Sequence, residues 1–260
     1  MRWTSFRIGT PRALREKLEG ALDGILTVSF DIPYGVLVQS PLIELVHLTG
    51  MESLLLALYD EPETMHAVLG HMVDSKVRLL ERLERDNLLF DNKHRLRRLG
   101  LQPRAARRPG TRLPCGDVGF ADAKEFSMMS PDMFREFALA YQKRGLLRFG
   151  RVSYGCCEPL DAKYALLFAE LPNLRRLSVS PWADVDMAAE VIGSRAILSF
   201  KPHPALVSDG FDEAAIADVL NHAARATKNC TMEVIFKDLR TVGGDPTKLE
   251  RFCKLVRAAL

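Results

Sequence analysis

Long apolar runs are missing from this chain. No stretch approaches the roughly 20 residues that cross a bilayer as a helix, so no membrane span is expected. Met1 to Gly20 mixes acids and bases and lacks the apolar core of a secretory leader. Cysteine is scarce and odd in number: five in 260 residues, at Cys115, Cys156, Cys157, Cys230 and Cys253. That count excludes a disulfide-stapled scaffold, and free thiols fit a reducing, cytoplasmic setting. Charge of one sign is also lacking, with 36 basic against 33 acidic residues and a net +3. Such a balance disfavours polyanion binding as the main task. What remains is ordinary: 47% hydrophobic and 27% charged residues, the make-up of a globular domain. The length suits one α/β barrel domain and leaves ample chain to bury a core.

One segment departs from that balance. Residues 93–112 carry Lys93, Arg95, Arg97, Arg98, Arg104, Arg107, Arg108 and Arg112 and no acid, so the rest of the chain is net negative. No aromatic side chains interleave these cations, which argues against base stacking and so against nucleic acid. The segment reads as an irregular basic loop over 93–116, or as a reading-frame artefact.

The remainder has a strand and helix rhythm. Thr10 and Pro11 open a first helix. Ile25 to Ile32, with Asp31 near its end, is a strand candidate. Pro41 to Gly50, Ser53 to Tyr59 and Glu63 to Arg85 are predicted helices; in the last, Met65, Leu69, Met72, Val73, Leu80 and Leu83 keep helical spacing. Leu88 to Asp91 is a brief strand candidate. Ser130 with Pro131 opens a helix that Gly150 closes. Four strand–helix units follow: Val152–Cys157 with Asp161–Leu171, Arg176–Ser180 with Asp184–Ile192, Ala196–Lys201 with Asp212–Thr227, and Thr231–Lys237 with Asp245–Leu260. This alternation predicts βαβ units and a parallel sheet, which together read as half of a (β/α) barrel of the TIM type.

Side chains alternate across a strand. In each unit one face is apolar (Leu177 and Val179; Leu198 and Phe200; Met232, Val234 and Phe236). The other is more polar (Ser178 and Ser180; Ile197, Ser199 and Lys201; Thr231, Glu233, Ile235 and Lys237). In a barrel the polar face looks inward and towards the mouth, where catalytic groups gather at the carboxyl ends of strands. The same parity turns Ser153, Gly155 and Cys157 inward and Cys156 outward, which makes Cys157 the expected site thiol. Candidate catalytic residues are therefore Cys157, Glu158, Glu233 and Lys237, with Ser180, Trp182, Lys201, His203 and Asp238 lining a small-molecule substrate. Each has a plainer reading: buried cysteines commonly only pack, Glu158 suits a helix N-terminus, Lys237 pairs with a neighbouring acid, and His203, between two prolines, is solvated. His47, His66, His71 and His222 read as surface or interhelical residues.

Several segments together carry a family resemblance: Y-G-C-C-E-P-L at Tyr154 to Leu160, L-P-N-L-R-R-L-S-V-S-P-W at Leu171 to Trp182, F-K-P-H-P-A at Phe200 to Ala205 and E-V-I-F-K-D at Glu233 to Asp238. To these are added S-P-D-M-F-R-E-F at Ser130 to Phe137 and G-M-E-S-L-L-L-A-L-Y-D-E-P at Gly50 to Pro62. They resemble the uroporphyrinogen decarboxylase superfamily, closest to its methyltransferase-like branch, which is related to corrinoid-dependent methyltransferases. The resemblance implies a (β/α)8 barrel, here incomplete at its N-terminus. It implies methyl transfer between a small methylated substrate and a corrinoid protein. The zinc enzymes of that group hold their metal with a His-x-Cys pair. Here the aligned positions read Tyr154-x-Cys156 or Gly155-x-Cys157, leaving Cys157, Glu158 and Glu233 as a mixed candidate zinc set.

Two alternatives stand beside methyl transfer. One is tetrapyrrole decarboxylation, although the mouth residues above include no arginine to hold carboxylates. The other is an inactive, truncated barrel or a binding partner of a corrinoid protein. An incomplete barrel would leave strand edges unpaired and favour a homodimer.

Overall fold

The computed structural model describes residues 9–25, 38–85, 118–208 and 210–260. The candidate strand at Leu88 to Asp91, the basic segment 93–112 and Cys115 lie outside them, as does all but Ile25 of the candidate strand at Ile25 to Ile32.

Helix α1 (Gly9–Ala21) is mostly exposed where its side chains are described. Helices α2 (Pro41–Thr49) and α3 (Met51–Asp60) meet at a bend of 108°. Gly50 permits that corner because its φ of +84° lies where side chains are disfavoured. Helix α4 (Pro62–Arg85) buries Met65, Leu69, Val73 and Leu80, a stripe at helical spacing that faces the core. His66 on this helix lies between helices, with Nδ1 2.6 Å from the Tyr141 hydroxyl and its ring stacked on Phe137. Among the described residues no single helix is long and apolar enough to cross a membrane.

The second half holds an α/β unit with a five-stranded parallel sheet: β1 (Val118–Ala121), β2 (Arg151–Tyr154), β3 (Leu174–Val179), β4 (Ile197–Phe200) and β5 (Thr231–Val234). The strands lie side by side in chain order, with no reversal. Between β1 and β2 run α5 (Pro131–Phe134), a π-helical segment (Arg135–Leu139) and α6 (Ala140–Leu146). Helix α7 (Tyr164–Glu170) follows β2 and α8 (Val185–Ile192) follows β3. After β4 come α9 (Ala205–Ser208) and α10 (Glu213–Ala226), and after β5 comes α11 (Thr247–Ala259). Asp184 and Asp212 cap α8 and α10 by accepting from the amides two and three residues on. Strand β1 was not expected from the sequence, since four residues of V-G-F-A give no alternation to read. Beyond it Val38 makes one parallel bridge to Phe120, continuing the sheet by a further step.

The two faces of the sheet differ as the alternation predicts. Val152, Tyr154, Leu177, Val179, Leu198 and Phe200 join the main apolar core. The other face carries Ser153, Arg176, Ser178, Ser199 and Lys201, all buried, together with Glu233. A buried polar face must satisfy its own hydrogen bonds, and it does so in two tiers. In the lower tier Arg176 donates to Ser153 Oγ at 3.0 Å, to Ser199 Oγ at 2.8 Å and to the Glu233 carboxylate. In the upper tier Lys201 donates to Ser178 Oγ at 2.6 Å and to the Cys156 carbonyl.

Strand β2 stops at Tyr154 because Gly155 has a φ of +89° and turns the chain across the sheet's carboxyl edge. A Cβ at Gly155 would sit 2.6 Å from Leu160 Cδ1 and 2.9 Å from Ser178 Cβ. Gly155→Ala combines that overlap with a left-handed backbone and is expected to lower stability by about 2–4 kcal/mol, read as a lower urea midpoint. An unchanged midpoint would show that the turn is not held as described.

Candidate functional site

The turn at Gly155 decides which thiols reach the site. Strand parity assigned Cys156 to the outer face, but parity ended one residue too early to apply. Both sulfurs lie at the carboxyl edge, 3.5 Å apart. Lys237, just beyond β5, donates to both, at 2.8 Å to Cys157 Sγ and closely to Cys156 Sγ. Cys157 donates in turn to Asp238 Oδ2 at 3.3 Å. Asp238 holds a left-handed φ of +60°, a conformation aspartate tolerates better than most residues. Cys156 is buried and Cys157 is half-buried.

These groups share one cleft of about 50 Å³, lined by Cys156, Cys157, Trp182, Lys201, Lys237 and Asp238 among others. A larger groove of about 440 Å³ adjoins it through Pro181, Lys201 and Pro202 and includes Ser180 and His203. Trp182 is exposed and stands edge-on to the His203 ring, with centroids 5.7 Å apart. His203 Nδ1 accepts from the Ala205 amide at 3.2 Å, which caps α9.

Glu158 and Glu233 do other work. Glu158 is buried, with one carboxylate oxygen accepting from the Ala123 amide at 3.0 Å and the other from the Cys156 amide at 2.9 Å. It therefore ties the end of β2 to the loop after β1, and both its oxygens are engaged. Glu233 accepts from Arg176 in the lower tier. Cys157, Glu158 and Glu233 thus form no metal-holding group among the described residues. The position between the two sulfurs is taken by an ammonium, so the donor set does not fit zinc.

Burial shapes the titration of the cleft. It raises the Cys156 thiol to about 11, while hydrogen bonding to the Lys237 ammonium pulls the other way. For Lys237, burial favours the neutral amine, but its bonds to Cys156 and Cys157 outweigh that and hold its pKa above the ordinary value. Lys237 is thus a cation at neutral pH. Lys201 behaves oppositely: burial first, then the neighbouring Arg176 and Lys237 cations, bring it down from 10.5 to about 8, against the opposing pull of Cys156 and Glu158.

Three further residues at or beneath the sheet's carboxyl edge escaped the strand-end rule. Cys156 was assigned to the wrong face. Arg176 shares its parity with Ser178 and was readable from the same alternation. Asp122 follows β1 and is buried, with its backbone amide donating to Ser40 Oγ at 2.9 Å and its carboxylate 3.3 Å from Lys124. A strand assigned at Val118 to Ala121 would have flagged it.

Comparisons with protein-family models, curated proteins and solved structures returned no match.

The shift at Lys201 has a consequence for stability. Its folded pKa lies below its unfolded value, so between about pH 8 and 10.5 the unfolded chain binds more protons than the folded one. Stability then rises with pH across that window. Lys201→Met is expected to lack this rise, a difference of about 3 kcal/mol between the window's two ends. Parallel pH profiles for the two proteins, from urea unfolding, would sink this account of Lys201.

Proposed function

We propose that the chain is a (β/α)-barrel enzyme of the uroporphyrinogen decarboxylase type, acting in methyl transfer on a small methylated substrate with a corrinoid protein as its second partner. The observation that carries this reading is the meeting of two thiols with the Lys237 ammonium at the carboxyl edge of a parallel sheet. The barrel part draws support from the chain-order arrangement of the strands and from a polar face sealed from water. Barrels place their chemistry at this edge. Two free thiols at the centre of the site suit a reducing cytoplasm.

In this reading Cys157 is the nucleophile, because it is the less buried thiol and has an acceptor for its proton in Asp238. Its sulfur attacks the methyl carbon, a new S–C bond forms, and the bond from that carbon to the departing sulfur or oxygen breaks. The electron pair stays on the departing atom, which receives a proton from Lys237. Asp238 takes the thiol proton, and Lys237 stabilises the thiolate until attack. The corrinoid partner supplies a second methyl-carrying centre when bound. Cys156, buried and held as a thiol, positions Lys237. The decarboxylase alternative gains nothing here, since Arg176 spends its donors on Glu233, Ser153 and Ser199.

Incubation with methylcobalamin as methyl donor is expected to leave one methyl group on the peptide containing Cys157, seen by mass spectrometry. Cys157→Ser should remove the mark, and Lys237→Met should slow its appearance about 10-fold to 100-fold or more. An unmodified Cys157 after prolonged exposure to methylcobalamin, and also to a small methyl thioether, would overturn methyl transfer.

A further inference from the structure

The chemistry above leaves Lys201 unused, and its surroundings are those of a reactive amine. It follows the last residue of β4, and its own amide is fixed by donation to the Val179 carbonyl at 2.9 Å. Its side chain is buried, yet it lines both the thiol cleft and the adjoining groove. The amine is aimed by two neutral acceptors, Ser178 Oγ and the Cys156 carbonyl. Among the described residues no carboxylate forms an ion pair with it. The nearby carboxylate of Glu158 is engaged by two backbone amides. The charged and titratable groups facing Lys201 are Cys156, Arg176, Lys237 and Glu158. A lysine kept from water beside other cations is a standard way to obtain a neutral, nucleophilic amine near neutral pH.

We infer that Lys201 is a carbonyl-binding lysine, which condenses reversibly with a short 2-oxo acid or a related small carbonyl compound in the cleft. The amine nitrogen adds to the carbonyl carbon, and both of its protons end on the carbonyl oxygen. That oxygen leaves as water, a C=N bond joins Lys201 to the ligand, and nothing is oxidised or reduced. Hydrolysis returns the free lysine. Ser178 holds the amine in place, and the Lys237 ammonium, which lines the same cleft, suits a carboxylate beside the reacting carbonyl. The cleft's modest volume sets the short chain length. The inference shares Lys237 and the cleft with methyl transfer but needs neither Cys157 nor a methyl donor.

Pyruvate with sodium borohydride provides the test, because reduction makes the imine permanent. Peptide mapping of the wild-type protein is expected to find Lys201 as the main labelled residue. Its labelling should exceed that of Lys254, an exposed lysine, by at least about tenfold at pH 7.5, because lowering an amine's pKa enlarges its free-base fraction. Lys201 labelling should climb with pH and level off above about 8, and should vanish in Lys201→Arg. The inference is overturned if Lys201 stays unlabelled, or if it reacts no faster than Lys254; both readings need only the wild-type protein. Loss of methyl transfer with retained labelling would refute the earlier proposal and leave this one standing.

Discussion

A guanidinium sealed inside a protein has to find acceptors for its donors, and Arg176 finds them on three other strands of the sheet. Ser153 of β2, Ser199 of β4 and Glu233 of β5 all accept from it. Removing water from such a pair is costly, and the geometry must be good for the attraction to compensate. Here the ion pair is supplemented by two hydroxyls, so the lower tier of the polar face is fixed laterally across four strands. A shift of one residue in any of them would carry its polar side chains to the helix-covered face. The register of the sheet and the position of everything above it follow from this tier.

The upper tier and the thiol cleft rest on that platform. Lys201 reaches across β3 to the chain leaving β2, because Ser178 and the Cys156 carbonyl lie directly in its path. Glu158 fastens the same chain to the loop after β1. Cys156 is thereby held at its amide, its carbonyl and its sulfur, and the neighbouring Cys157 is left half-buried at the opening. The two lysines of the cleft are consequently unlike. Lys237 stays charged because two sulfurs accept from it, whereas Lys201 is buried between cations and gives up its proton more readily.

Much of this architecture was legible in the chain. The four strand–helix units after residue 150 announce a parallel sheet, and alternation separates Leu177, Val179, Leu198 and Phe200 from Ser178, Ser199, Lys201 and Glu233. The carboxyl-edge rule then gathers Cys157, Lys201, Lys237 and Asp238, which do share a cleft. The rule misjudged residues whose roles depend on where a strand stops. Cys156 lies past a glycine in a left-handed conformation, and alternation has no meaning there. Strand β1 was too short to declare itself, which hid Asp122. Glu158 and Glu233 stood at suitable positions for chemistry, yet both oxygens of Glu158 had been claimed by backbone amides and Oε1 of Glu233 by Arg176.

Sequence by itself settled the α/β class of fold and which face of each strand is polar, because both depend on local periodicity that every residue in a strand repeats. Tertiary structure alone decided which groups of the polar face and the carboxyl edge remain free to react. That choice depends on hydrogen-bond partners contributed by distant segments, such as Ala123 for Glu158 and Arg176 for Glu233, and on burial among cations for Lys201. A carboxylate or an amine has the same letter in the chain whether it is satisfied or available, and only its neighbours in space distinguish the two.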